Sequence, residues 1–305
     1  MELRRHLKTT LEHGALWSGI PRAMRWQRRG DVLVLAYHDI VPDGETPSGD
    51  LSLHLPQARF AEQLDALVRT HDVIALEEAV ANRRRAGHRP AAVITFDDAY
   101  QGAVTAGVAE LARRGLPATI FVATAYVGGG DFWWDALAAR DGGLPATVRA
   151  RALTELAGAD AAIRAMAARE SRAIATPPAY ARGASERELA YATAQGGITL
   201  ASHTHSHPNL TRLEPGALRD ELARPLAWLR ERFTEVLPMV SYPYGLSSPV
   251  VEQAAAAAGY TAGFRISGGW LPRGARAPFA LPRLDVSSGL SAAGFALRCA
   301  GVRAR

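Results

Sequence analysis

Two histidines four residues apart, His203 and His207, and two adjacent aspartates, Asp97 and Asp98, stand out in this 305-residue chain as groups whose types and spacing can do chemistry. Two imidazoles and one carboxylate make a three-ligand catalytic metal site with a position open for water. On one helical turn, the spacing of His203 and His207 would present both rings on one side. Either aspartate could supply the carboxylate, leaving the other free as a general base. Alone, the histidine pair is weak evidence and better suits a polar loop that binds nothing; its combination with Asp97-Asp98 makes it a candidate centre. The single cysteine, Cys299, excludes an intramolecular disulfide and any cysteine-based zinc site. A metal here would be held by histidine and carboxylate, and Cys299 is expected to be buried and inert.

Such groups need a scaffold that brings them together. From Asp31 onward short apolar runs alternate with helical segments. The runs at 32–37, 73–76, 92–96, 118–122, 198–200 and 237–241 predict buried strands, and helices are predicted near 58–69, 101–114, 215–234 and 248–258. Near-continuous apolar strands separated by helices indicate a parallel sheet covered on both faces. The number of repeats suits a distorted (β/α) barrel of about seven strands, whose active site is built at the C-terminal strand ends. Four of those ends carry polar groups: Tyr37-His38-Asp39, Asp97-Asp98, the stretch from His203 to Pro208, and Tyr242-Pro243-Tyr244-Gly245. Residues 135–196 break the rhythm. They are rich in Ala and Arg, hold no good strand, and offer a capping box at Ser185 and Glu188. They read as a helical insertion at a βα loop, with a turn at Pro177-Pro178.

The net charge of +5 belongs to one end of the chain. Residues 1–30 contain seven basic and two acidic residues, so the remainder is neutral. The expected organisation is therefore a basic helical arm, 1–30, before a barrel domain, 31–305. A neutral barrel argues against a nucleic-acid-binding face. In the arm, Leu3, Leu7 and Leu11 recur at spacing four among Arg4, Arg5 and Lys8. This stripe is expected to pack on the domain; the other reading is peripheral contact with an anionic membrane. No apolar run reaches about 18 residues, and the N-terminus has no apolar core of a secretory signal. The expected location is cytoplasmic, near the inner membrane face.

The motifs resemble those of the polysaccharide deacetylases, carbohydrate esterases that include chitin and peptidoglycan deacetylases. Thr95-Phe96-Asp97-Asp98 is similar to their first motif, His203-Thr204-His205-Ser206-His207 to the second, and Tyr242-Pro243-Tyr244-Gly245 to the Pro-Tyr-Gly core of the third. The resemblance spans roughly residues 31–286. It implies hydrolysis of carbon–nitrogen bonds in N-acetylated glycans. It implies a divalent metal, Zn2+ first, with Co2+, Ni2+ or Mn2+ as alternatives, held by Asp98, His203 and His207. By the same resemblance Asp97 is the base, and the Tyr244 backbone N–H stabilises the oxyanion.

Two departures matter. Most members use a histidine near the C-terminus as the general acid, and this chain has none after His207. Tyr37-His38 resembles a subset, including poly-N-acetylglucosamine deacetylases, where that motif is permuted to the first strand, so His38 takes the role. Many members also carry an Arg shortly before the Pro-Tyr, where this chain has Val240-Ser241-Tyr242. Arg283 is expected to replace it beside Asp97; the competing reading is a surface ion pair with Asp285. Trp133 and Trp134 are read either as exposed platforms for sugar rings or as anchors for the insertion. Arg83-Arg84-Arg85 reads as a solvated loop. The function expected is removal of N-acetyl groups from an amino sugar in a glycan or glycan precursor. Its rivals are an amidase of the same fold acting on a non-sugar amide and a barrel that binds carbohydrate without turning it over.

Overall fold

The computed structural model of the chain describes residues 12, 14–81, 88–138, 143–274 and 277–302. The leucine stripe of the arm and Arg83-Arg84-Arg85 lie outside the described residues. In chain order the strands are β1 Val32–Tyr37, β2 Asp39–Val41, β3 His54–Pro56, β4 Asp72–Val73, β5 Ala91–Phe96, β6 Ala118–Val122, β7 Ile198–Ser202, β8 Val236–Ser241, β9 Ala262–Ile266, β10 Trp270–Leu271 and β11 Leu281–Asp285. Seven of them, in the order β1-β11-β9-β8-β7-β6-β5, pair in parallel, and β5 pairs back to β1. The ring is closed, so all seven C-terminal ends meet at one rim.

Alternation along the strands decides what reaches that rim. Val32 and Val34 of β1, Ala91 and Val93 of β5, Phe121 of β6, Ala201 of β7, Met239 of β8, Phe264 of β9 and Leu281 of β11 form one buried cluster, the barrel interior. The alternate residues Leu33, Leu35, Tyr37, Ala92, Ile94 and Phe96 belong to a different cluster, with Phe60 and Leu64 of the helix Gln57–Val68. Counting by twos from the interior set reaches His38, Thr95, Asp97, His203, Ser241 and Arg283. One periodicity thus aims six polar side chains from five strands at the same end of the barrel.

Some segments differ from the sequence expectation. Of the run at 73–76 only Val73 is in a strand, Asp72–Val73, and Leu76 opens the helix Leu76–Val80. Leu76 and Ala79 bury on the barrel while Glu77 and Glu78 occupy the favourable first turn. Conversely, β9 and β11 complete the barrel although neither is a clean apolar run. Gly263 interrupts β9 because a Cβ there would collide with the Tyr242 hydroxyl. Pro282 and Arg283 interrupt β11.

Between β6 and β7 lie the helices Trp133–Leu137, Ala146–Thr154, Asp160–Arg169 and Glu186–Ala194. Ser185 caps the last with the reciprocal box: its hydroxyl accepts from the Glu188 N–H and the Glu188 carboxylate accepts from the Ser185 N–H. Val148, Ile163, Met166 and Leu189 bury in the same cluster as the outer face of β1 and β5. These helices therefore share the barrel's core.

Candidate active site

Asp97 is the most constrained group at the rim. Arg283, fully buried on β11, donates from Nη1 to Asp97 Oδ1 and from Nη2 to Asp97 Oδ2, both at 2.7 Å. The same guanidinium donates to Thr95 Oγ1 at 3.1 Å and to Ser241 Oγ at 2.6 Å. Ser241 in turn donates to Asp97 Oδ2 at 3.2 Å. Burial alone would raise the Asp97 pKa, but the adjoining guanidinium outweighs it and holds this carboxyl well below the usual range. Of the two readings of Arg283, the pair with Asp97 is the one present. Asp285 lies instead 3.9 Å from His38 Nδ1. Ser241 and Thr95 were not singled out in the sequence. Their place in the interior alternation, next to the rim, was the available signal.

Asp98, His203 and His207 form the second group, all buried, with their ligand atoms within 4.8 Å of one another. His203 Nε2 and His207 Nε2 are 3.1 Å apart, and Asp98 Oδ1 lies 3.5 and 3.3 Å from them. Alternation would send Asp98 outward; φ values of 70° at Asp98 and 59° at Ala99 turn the chain at the end of β5. Residues 203–207 are a loop and do not form a helical turn. Left-handed backbone at Thr204 (φ 68°) and His207 (φ 57°) folds the loop back, so the rings meet for a different reason than i, i+4 spacing. Glu221, from the helix Pro215–Arg232, holds the loop by accepting from the N–H groups of His205 and Ser206 at 3.0 and 2.8 Å. His205 points away, its Nδ1 2.9 Å from the Thr124 hydroxyl.

These three residues fit a divalent cation. His203 Nδ1 is 2.8 Å from the Ser241 carbonyl oxygen, which calls for N–H at that nitrogen and leaves the Nε2 lone pair facing the group. Burial lowers the His203 pKa to about 4, and burial with His203 alongside pushes that of His207 well below the usual imidazole value, so both rings are neutral. Burial and then Asp97 push the Asp98 carboxyl up, and its Oδ1 has no hydrogen-bond partner. A buried carboxylate beside another carboxylate and two neutral imidazoles is the donor set a cation stabilises.

A cavity of about 340 Å³ opens over both groups. His38, Asp97, Asp98, His203, His207 and Tyr244 line it, with Trp134, Leu153 and Ile266 as its apolar wall. Tyr244 has φ 59°, and its backbone N–H finds no hydrogen-bond acceptor among the described residues. Its hydroxyl donates to the His207 carbonyl oxygen at 3.2 Å. All seven residues named from the sequence therefore converge: six line the cavity and Arg283 stands behind Asp97.

The tryptophans anchor the insertion. Trp133 is fully buried, and Trp134 is nearly so, packed 4.8 Å from the His207 ring. Trp134 Nε1 donates to the Tyr100 hydroxyl at 2.7 Å, which donates to Asp135 Oδ2 at 2.6 Å. Asp135 Oδ1 and Asp39 Oδ2 each lie 2.8 Å from a nitrogen of buried His54. This chain of groups was not legible, because His54, Asp39, Tyr100 and Asp135 are scattered over some ninety-seven positions and form no local motif. Burial opposes charge on His54, but the hydrogen bonds to Asp135 and Asp39 outweigh it and raise its pKa to about 10. A raised pKa contributes stability below the unfolded value of 6.5 that is lost as pH climbs to about 10. His54→Ala is expected to cost about 3–5 kcal/mol at neutral pH, because two buried carboxylates lose their cation. Urea midpoints followed from neutral to alkaline pH should fall in the parent and lack this decline in the variant.

The sequence profile of the family described as polysaccharide deacetylase matches residues 84–263, more than half of the chain. Among solved structures, the fold is similar to Streptococcus pyogenes deacetylase PplD in complex with acetate, with TM-score 0.60 and 18% identity over 87% of this chain and 96% of that one. It is also similar to IcaB from Ammonifex degensii, with TM-score 0.59 and 18% identity over 90% and 97%. A third similar fold is the de-N-acetylase from Aggregatibacter actinomycetemcomitans, with TM-score 0.59 and 15% identity over 88% and 99%. No curated protein sequence matches the chain.

Proposed function

The chain belongs to the polysaccharide deacetylase family, hydrolases of carbon–nitrogen bonds, and on that premise we propose that it removes N-acetyl groups from an amino sugar in a glycan or glycan precursor with a divalent metal, Zn2+ first. The observation that carries this reading is the pairing of two differently tuned aspartates at one rim. Asp97 is locked as a carboxylate by Arg283, and Asp98 faces His203 and His207.

Asp98, His203 and His207 would hold the metal, which when bound acts as a Lewis acid toward water and the amide carbonyl. Asp97 takes a proton from the attacking water as its oxygen bonds to the acetyl carbon. The unpartnered N–H of Tyr244 donates to the oxyanion that forms. The carbon–nitrogen bond then breaks, His38 delivers a proton to the amine, and acetate departs. The apolar wall at Trp134, Leu153 and Ile266 suits an acetyl methyl group.

Acetate release over a panel of N-acetylated oligosaccharides and small cyclic amides, after chelation and metal reconstitution, tests the reading. Release from the sugars restored by added metal supports it. Turnover of the cyclic amides alone would favour the amidase, and bound sugar without acetate would favour a carbohydrate-binding barrel. His38→Ala is expected to slow amide hydrolysis by about 10²- to 10³-fold while sparing an ester with a good leaving group, which departs without protonation. Equal losses on both substrates would remove His38 from the acid role.

A further inference from the structure

Nine large apolar side chains are exposed among the described residues, and three of them fall within ten positions of the arm. Trp17 is 88% exposed, Ile20 54% and Trp26 63%. Ile20, Ala23 and Trp26 follow one another at spacings of three along the helix Ile20–Gln27, which makes one continuous exposed strip. Arg22 and Arg29, both exposed, flank Trp26 at spacings of four and three. The Arg29 guanidinium sits 4.3 Å above the Trp26 ring. Neither arginine has an acidic partner among the described residues.

The opposite side of the arm is fastened down. Pro21 is buried, the Arg28 guanidinium covers the Trp270 ring at 5.0 Å, and Glu12 accepts from the Ser291 hydroxyl at 2.6 Å. The exposed strip is therefore presented in a set orientation on the flank of the barrel. Two indoles and an isoleucine bordered by arginines match the boundary between lipid headgroups and acyl chains, where indole rings concentrate and arginines meet anionic phosphates. The charge distribution favours the same partner, since the whole +5 excess lies in residues 1–30, with Arg4, Arg5 and Lys8 preceding this helix in sequence. No described helix is long and apolar enough to cross a membrane.

We propose that the Trp17, Ile20 and Trp26 face, with Arg22 and Arg29, docks this protein on an anionic lipid surface. The contact is peripheral: the apolar residues enter the headgroup boundary and the arginines select negative lipid. It holds whichever amide the barrel hydrolyses.

The test is co-sedimentation of the full chain with phosphatidylcholine vesicles, with and without phosphatidylglycerol. The expected result is binding to the anionic vesicles that salt weakens. Trp17→Ser/Ile20→Ser/Trp26→Ser is expected to lower it at least about tenfold. Arg22→Glu/Arg29→Glu is expected to lower it by about twenty-five-fold or more, at roughly a factor of five for each arginine lost. The second variant keeps the test valid should the first fold poorly. A chain that stays in the supernatant, binds neutral vesicles equally, or binds as before in both variants would overturn the proposal. So would a parent dimer that the serine variant makes monomeric, because the face would then belong to a second copy of the chain.

Discussion

Asp97→Asn is expected to reduce N-acetyl hydrolysis by about three orders of magnitude while the divalent ion stays at Asp98, His203 and His207. Asparagine matches aspartate in shape but cannot accept a proton from water at neutral pH. It can accept only one of the two Arg283 hydrogen bonds now seen at 2.7 Å, so its amide group must face the other Nη. The substitution therefore also leaves a buried guanidinium without its charge partner, at a cost of about 3–5 kcal/mol. Metal stoichiometry and thermal midpoint should be measured beside turnover, so that a chemical loss is separated from unfolding. Asp98→Asn is the control and should lose the ion. If Asp97→Asn lost the ion and Asp98→Asn kept it, the two roles would be reversed.

Arg283→Met is expected to move the acid limb of the pH–rate profile to higher pH and to destabilise the fold by about 3–5 kcal/mol. The sign follows from the forces on Asp97. Burial pushes its pKa up and Arg283 overrides that effect. Without the guanidinium, burial prevails, the carboxyl protonates nearer neutrality, and each pH unit below its new pKa costs about tenfold in the ionised base. In the parent, the depressed pKa contributes stability that is present above the unfolded value and lost only as pH falls through the folded one. Activity of Arg283→Met should recover as pH rises, whereas a merely structural lesion would lower it at every pH. Arg283→Lys keeps the charge but not the two-pronged geometry, and should shift the profile less. An acid limb unchanged in Arg283→Met would sink the assignment.

Much of the site was legible before folding, because two sequence properties translate directly into position. Parallel strands carry their C-terminal ends to one rim, so Asp97, His203, Tyr244 and His38 could be placed together from apolar runs alone. Side-chain alternation then selects interior residues without any knowledge of packing. Legibility ends where the backbone leaves the strand pattern. The helical turn expected at 203–207 is a loop with left-handed residues held by Glu221, and no local pattern in five polar residues announces it. Nor was β9 legible as a strand, since Gly263 answers to the Tyr242 hydroxyl, a neighbour two strand positions away in space and twenty-one in sequence.

The amino-acid sequence by itself determined the chemistry on offer: two adjacent carboxylates and three imidazoles at strand ends, with a single cysteine that allows no cysteine-based metal site. It also determined the repeat of strand and helix that carries them. Tertiary structure alone decided the partnerships. Arg283 pairs with Asp97, 186 residues away, and leaves Asp285, two residues away, because closure of the barrel buries the guanidinium beside Asp97, whose two oxygens accept from its two Nη atoms. His54 gains its charge from Asp39 and Asp135 for the same reason. A residue's type sets what it can donate or accept, but desolvation makes the choice of partner compulsory, and desolvation exists only once the chain has closed around it.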